Sequence, residues 1–244
     1  MFLGGKRDKE EGEMAESAQD DGKVVEYRYA PPEDATRVLL CRHGASASVD
    51  PDEPAEMLEG WGDPGLDDAG HREAELLADR LAGAGLDAIY ASGLRRTLET
   101  AAPLARRLGL EVGLEPRLRE ARYGDWEGGI WRVRITEGHP IALQMIEEQR
   151  WDIVPGCEPV HDFAKRIRDG LDEIAARHRG EQVAVFVHGG VIGQAMAETA
   201  GCQSFAFNAS DNASISELVI DARRWRVRRF NDTAHLQVGA YAAS

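Results

Sequence analysis

Positive charge is in short supply in this chain: 29 Lys and Arg face 43 Asp and Glu, a formal net charge of −14 over 244 residues. Such a field opposes nonspecific attraction to nucleic acid or to an anionic membrane, so an anionic ligand has to be drawn by a locally basic pocket. Cysteine is scarce as well. Cys41, Cys157 and Cys202 lack the paired spacing of a disulfide framework or a zinc site, and three reduced thiols are expected. No apolar run approaches the roughly 18 residues of a membrane span, and the opening MFLGGKRDKEEGEM has no stretch suited to a signal peptide. A cytoplasmic location without a membrane partner is the expectation. Histidines at His-x-x-x-His spacing are also missing, which argues against a metal hydrolase built on His43, His71, His161 and His188. No metal or other cofactor is expected.

What is present is ordinary for a folded protein: 43% hydrophobic and 30% charged residues, in a chain long enough for one α/β domain with a sizeable core. Residues 1–35 are polar, with ten acidic against five basic side chains, and contain Pro31-Pro32; they read as a disordered acidic tail. From there to residue 244 short apolar runs alternate with longer segments of helical period, the pattern of strands joined by crossover helices. The predicted strands are Val38–Cys41, Ala88–Ala91, Val183–Val187, Glu217–Ile220 and Trp225–Phe230, the last two as a hairpin. One helix starts at Asp67-Asp68 with Ala74, Leu77, Ala78 and Leu81 on its buried face. A second is expected after Ser92 as N-cap, a third carries Phe163, Ile167, Leu171 and Ile174, and a fourth begins at Gly189-Gly190. The fold class is α/β, a three-layer α/β/α sandwich around a mostly parallel sheet.

Ligands of open α/β sheets bind beyond the carboxyl ends of the strands. There the first strand ends in Arg42-His43-Gly44 and another ends in His188-Gly189-Gly190, so two separate strands deliver histidines. The glycines permit close backbone approach, and the first amides of the helix opened by Gly189 have no intrahelical partners, which suits an anion. Ala88–Ala91 leads to Ser92-Gly93-Leu94-Arg95-Arg96, placing a second arginine near the same edge. Arg96 is the candidate and Arg95 a competitor. Guanidinium groups match phosphoryl oxygens in bidentate fashion. The loop LREARYGDWEGG, residues 118–129, adds acids beside aromatic and glycine residues. Phosphate monoester cleavage needs a proton for the leaving alkoxide; Glu120 is the candidate donor, with Asp125 and Glu127 as alternatives. RRWRVRRF, residues 223–230, fits a strand with one basic solvent face better than a nucleic-acid site in so acidic a chain.

In order, Arg42-His43-Gly44, GWGDPGLDDAG at 60–70, SGLRRTLETA at 92–101, LREARYGDWEG and His188-Gly189-Gly190 resemble the motifs of the histidine phosphatase superfamily, the phosphoglycerate mutase-like fold. The resemblance spans roughly Arg37 to Ile220. It implies that His43 is the nucleophile, that Arg42, Arg96, His188 and Gly189 help hold the phosphoryl group, that Glu120 protonates the leaving oxygen, and that no metal is required. A backbone carbonyl accepting from the second nitrogen of His43 would set its tautomer. Two positions depart from the family pattern: Ala45 stands where a Glu is usual and Val49 where an Asn is usual, while Ser46 is kept. Altered specificity with a working site is the expectation. Trp126-Glu127-Gly128 resembles the phosphatase branch, so a phosphomonoester hydrolase acting on a small phosphorylated substrate is expected. The alternatives are a cofactor-dependent phosphoglycerate mutase-type phosphotransferase and a noncatalytic phospholigand-binding protein. Residues 130–155 fall where the family places a substrate-covering insertion, making Trp131, Arg132, Arg134, His139 and Trp151 candidate contacts beside Ser46. The sequence permits a homo-oligomer.

Overall fold

The computed structural model describes residues 29–48 and 56–237. Val49 and most of the acidic N-terminal segment lie outside the described residues. The unit that carries the fold begins at Pro32.

In chain order the elements are β1 (Thr36–Arg42), the two-residue strands β2 (Met57–Leu58) and β3 (Trp61–Gly62), α1 (Asp68–Leu81), β4 (Ala88–Ala91), α2 (Arg95–Leu108), β5 (Val112–Leu114), α3 (Ile130–Thr136), α4 (Pro140–Glu148), α5 (Val160–Arg177), β6 (Gln182–Val187), α6 (Gly189–Ala200), β7 (Ile215–Ile220) and β8 (Trp225–Asp232). Six strands form one sheet in the order β5-β4-β6-β1-β7-β8. The four from β5 to β1 are parallel, and β7 runs antiparallel between β1 and β8. The expected hairpin of the last two strands is present.

Uninterrupted apolar runs form β1 and β6 because both faces of the sheet are covered. Val38 and Leu40 of β1 face Phe163, Ile167 and Leu171 of α5 and Val191, Ile192 and Ala195 of α6. Leu39 and Cys41 face the other way, onto Leu77, Ala78 and Leu81 of α1 and Ala101 and Leu104 of α2. The result is a three-layer sandwich. Asp67 caps α1 as its sequence suggested, accepting from the Gly70 backbone N–H at 2.7 Å. Ser92 does not cap α2: Leu94 occupies that position, and the serine hydroxyl is engaged elsewhere. In β8, Trp225 is buried, Arg226 pairs with Asp221 and Arg229 with Asp232.

Residues 130–155 fold as α3 and α4 with a small core of their own, in which Ala142 and Val154 meet Trp126 from the loop below. Among the described residues no helix is long and apolar enough to cross a membrane.

The turn after His43 rests directly on the first turn of α1. A Cβ at Gly70 would lie 2.0 Å from the Ala45 carbonyl oxygen, and one at Gly44 would lie 2.6 Å from the Gly70 carbonyl oxygen. Backbone meets backbone here, and neither side can yield by rotating a side chain. Gly70→Ala is therefore expected to destabilise the protein by about 1–3 kcal/mol and to lower activity by displacing the His43 turn; chemical denaturation and turnover of a phosphate monoester check this.

Candidate active site

Because β4, β6 and β1 are parallel neighbours, their carboxyl ends open on one edge. β1 delivers Arg42 and His43, β6 delivers His188, and β4 leads into the turn that starts α2 and holds Arg96. The His43 and His188 ring centroids are 5.2 Å apart. Arg42, His43, Arg96 and Glu120 line one cavity of about 290 Å³, whose walls include Tyr123, Trp126, Trp131 and Arg132.

His43 is 6% exposed. Its Nδ1 lies 2.7 Å from the Gly44 carbonyl oxygen. A carbonyl only accepts, so the proton belongs on Nδ1 and Nε2 keeps its lone pair. Burial, then the Arg96 and Arg42 charges, hold the imidazole well below the ordinary histidine value, and the ring is neutral. The surrounding backbone is tied down on every side. Gly44 N–H donates to Thr100 Oγ1 at 3.0 Å, Ala45 N–H to Glu73 Oε2 at 2.7 Å, and Asn212 Nδ2 to the His43 carbonyl at 2.9 Å. Glu73 thus brings a carboxylate from α1 to the turn whose own position 45 is alanine.

His188 is fully buried, and its Nε2 is 2.9 Å from Ser92 Oγ. Thr97 Oγ1 gives its hydrogen to the Leu94 carbonyl at 2.7 Å and lies 3.1 Å from Ser92 Oγ. Ser92 is then left to donate to Thr97, and His188 Nε2–H to donate to Ser92. Nδ1 is bare in the neutral ring and has no protein partner. Burial, then Arg96, His43 and Arg42, hold this second imidazole well below the ordinary value too. A proton on Nδ1 becomes favourable once an anion neutralises those arginines.

The two arginines reach the cavity from different directions. Arg96 Nη1 donates to the Gly62 carbonyl at 3.0 Å, while Arg42 Nη1 donates to the Ser210 carbonyl and its buried Nε has no protein partner. Burial draws both below the ordinary arginine value, though both remain cations. Arg95 points away, pairing with Glu99 at 2.8 Å on the exposed side. Glu120 is the carboxylate that most favours the charged form of both Arg42 and Arg96. Its Oε2 accepts from Gly190 N–H at 3.0 Å and its Oε1 from Ala121 N–H at 2.9 Å. Glycine at 190 leaves room for this placement of the carboxylate, since a Cβ there would fall 2.3 Å from Glu120 Oε1 and displace it. Glu127 also lines the cavity; like those of Glu120, both its oxygens accept backbone N–H groups, here from Gly62 at 3.0 Å and Tyr123 at 2.7 Å, and burial pushes its carboxyl up. Asp125 is outside the lining.

Of the cap residues, Trp131 and Arg132 line the cavity. Trp131 stacks on Tyr123 at 4.5 Å, and Arg132 Nη2 donates to Ser46 Oγ at 2.6 Å. Arg134 does not reach the cavity and pairs with Glu137, because one helical residue beyond Val133 it faces solvent. Trp151 is buried against Trp131 and Phe205, and His139 caps α4 with Nδ1 accepting from Ile141 N–H. His71 and His161 are exposed and outside the lining. Sequence reasoning missed Thr97, Thr100, Asn212, Glu73 and the role of Ser92. Thr100 alone had a signal, one helical turn beyond Arg96.

Fixed cationic donors around one small cavity, with the neutral His43 ring on its wall and His188 beside that ring, are the arrangement expected of an enzyme that handles phosphoryl groups. Comparison with known families gives the class its name: residues 38–233 match the histidine phosphatase superfamily, branch 1, and the chain belongs to that superfamily. It is accordingly a histidine phosphatase, an enzyme that hydrolyses phosphate esters. Phosphoserine phosphatase 1 of Hydrogenobacter thermophilus is 30% identical over 82% of this chain and 94% of its own length. Phosphoglycerate mutase-like protein 4 of Arabidopsis thaliana is 28% identical over 86% of this chain and 91% of its own. Among solved structures, a mycobacterial glucosyl-3-phosphoglycerate phosphatase superposes with a TM-score of 0.68 at 27% identity, covering 82% of this chain and 100% of that one.

Because His43 and His188 are held neutral, folding loses stability as the pH falls. Below about pH 6.5 the unfolded chain binds protons that the native rings refuse, so the unfolded state gains. Stability measured by denaturation is expected to fall from pH 7 to 5 more steeply in the native protein than in a His43→Asn/His188→Asn variant. Equal slopes would show that the rings are not held neutral.

Proposed function

We propose that the protein is a metal-independent phosphomonoester hydrolase that works through a phosphohistidine on His43, with Glu120 as general acid. The observation that carries the reading is the neutral His43, its Nε2 lone pair left free by the Nδ1 bond to Gly44 and set between Arg42 and Arg96. In the first step Nε2 attacks phosphorus, the bond from phosphorus to the ester oxygen breaks, and that oxygen takes the proton of Glu120. Arg42, Arg96 and a protonated His188 stabilise the equatorial oxygens, and the Gly189 end of α6 faces the same anion. In the second step Glu120, now a carboxylate, takes a proton from water as the water oxygen attacks phosphorus. The bond from phosphorus to nitrogen breaks, and inorganic phosphate leaves.

The cavity of about 290 Å³ supports a small phosphorylated metabolite as substrate, since it stands at the small end of ligand pockets. The names of the relatives point the same way, toward phosphorylated small molecules such as phosphoserine and glucosyl-3-phosphoglycerate. Residues 130–155 act as the cap that selects the leaving group, through Trp131 and Arg132, with Ser46 holding Arg132 in place.

Brief mixing with a labelled phosphate monoester is expected to leave acid-labile, base-stable phosphate on the native protein and none on His43→Ala, whose turnover falls by at least about 10³-fold. Labelling that survives in His43→Ala would remove His43 as nucleophile, and activity lost on exhaustive chelation would remove the metal-independent reading. A panel of phosphometabolites run with and without a bisphosphorylated primer is expected to release free phosphate; isomerised product would favour the mutase reading instead. Exchanging residues 130–155 for the corresponding segment of a relative is expected to reorder kcat/KM across that panel.

A further inference from the structure

The loop that carries Glu120 has no regular structure to hold it, apart from short 3-10 turns at Pro116–Leu118 and Gly124–Trp126. Beneath it lies a guanidinium from α5. Arg166 Nη1 donates to the carbonyls of Arg117 and Arg119, both at 2.6 Å, and Nη2 donates to the carbonyl of Glu120 itself at 2.8 Å. Its Nε and Nη2 also form a two-point pair with Glu158, at 2.7 and 2.8 Å. Both side chains are largely enclosed, 17% and 15% exposed. Glu158 in turn reaches the far end of the same loop: its backbone N–H donates to the Arg122 carbonyl at 2.9 Å, and its carboxylate accepts from Arg122 N–H at 3.3 Å. From the other side Trp61 Nε1 donates to the same Glu120 carbonyl at 2.8 Å.

From this geometry we infer that Arg166, braced by Glu158, is a positioning residue for the proton donor, and that Trp61 assists it. This rests on the reading of Glu120 as general acid. Five donors in a rigid planar fork are what allow one side chain to bond three carbonyls of one loop and a carboxylate together. With the Glu120 carbonyl fixed by Arg166 and Trp61, and its carboxylate fixed by Gly190 and Ala121, the acid has little freedom at either end. Neither Arg166 nor Trp61 lines the cavity. Their hydrogen bonds act on the site through the peptide backbone of the loop, and the Arg166 charge in addition helps to keep His188 neutral.

A brace of the proton donor leaves a mark that general weakening of the fold does not. Loss of the proton slows departure of an alkoxide far more than departure of p-nitrophenolate, which leaves without protonation at neutral pH. The quantity to compare is kcat/KM, which ends with the first chemical step and is blind to hydrolysis of the phosphohistidine. Arg166→Ala is expected to lower kcat/KM for an alkyl phosphate about 10- to 100-fold while changing that for p-nitrophenyl phosphate less than about threefold. Arg166→Lys and Trp61→Phe, which keep more of the packing, should show the same selective loss at smaller size, and they decide the matter if Arg166→Ala fails to fold. Losses equal for both substrates, or no loss for either, overturn the inference. Glu120→Gln run alongside separates the two levels: if it shows the selective loss and the Arg166 and Trp61 variants do not, the brace is wrong; if Glu120→Gln itself lacks it, the assignment of the acid is wrong.

Discussion

Cationic groups packed together away from water repel one another, and this protein keeps two arginines and two histidines in that state at the edge of its sheet. Burial first, and then the arginines' permanent charge, leave both histidines neutral, and the cluster becomes a site of fixed positive potential with two neutral rings inside it. That imbalance is what an arriving phosphoryl group relieves. The rest of the site follows from the need to keep the cluster from relaxing. The His43 turn is held by Thr100, Glu73 and Asn212, the His188 ring by Ser92 and Thr97, and the walls come together backbone to backbone at Gly44 and Gly70, while Gly190 packs against the Glu120 carboxylate.

The parallel core supplies the rigidity. Adjacent strands lie about 4.8 Å apart, so three neighbouring strand ends bring their groups within reach of one tetrahedral anion without help from mobile segments. Both faces of these strands are buried under helices, and lateral movement would open voids on two sides at once. Preorganisation of this kind is worth most where charge develops during reaction.

The sequence revealed the parts that repeat a simple physical pattern. Unbroken apolar runs marked β1 and β6, helical spacing marked α1, α5 and α6, and the abrupt change from apolar to Arg-His-Gly marked the strand ends. It concealed elements too short for a period. Val112–Leu114 is three residues long with a central glycine, and it joins the sheet only because β4 offers a free edge; the same holds for the tiny pair at Met57–Leu58 and Trp61–Gly62. Side chains that act from a distance in the chain were hidden for another reason. Arg166 is 46 residues from the carbonyl of Glu120 that it bonds, and Asn212 is 169 residues from that of His43, separations that leave no local trace. Ser92 was misread because a serine before a helix usually caps it, whereas tertiary contact with His188 claimed its hydroxyl. Arg134 was placed in the cavity by its neighbours in sequence, and the turn of α3 carried it outward.

The cap has its own small core, joined to the body of the protein through Trp126 and the Tyr123–Trp131 stack. On the proposed reading, the groups that grip phosphorus come from the sheet edge, whereas Trp131 and Arg132, which meet the alcohol, come from this separate layer. Mutational drift in the upper layer can change which alcohol is accepted while leaving the lower one untouched. On that reading, specificity and phosphoryl chemistry are carried by separately packed parts of the chain, and substitutions among residues 130–155 need not disturb the His43 turn.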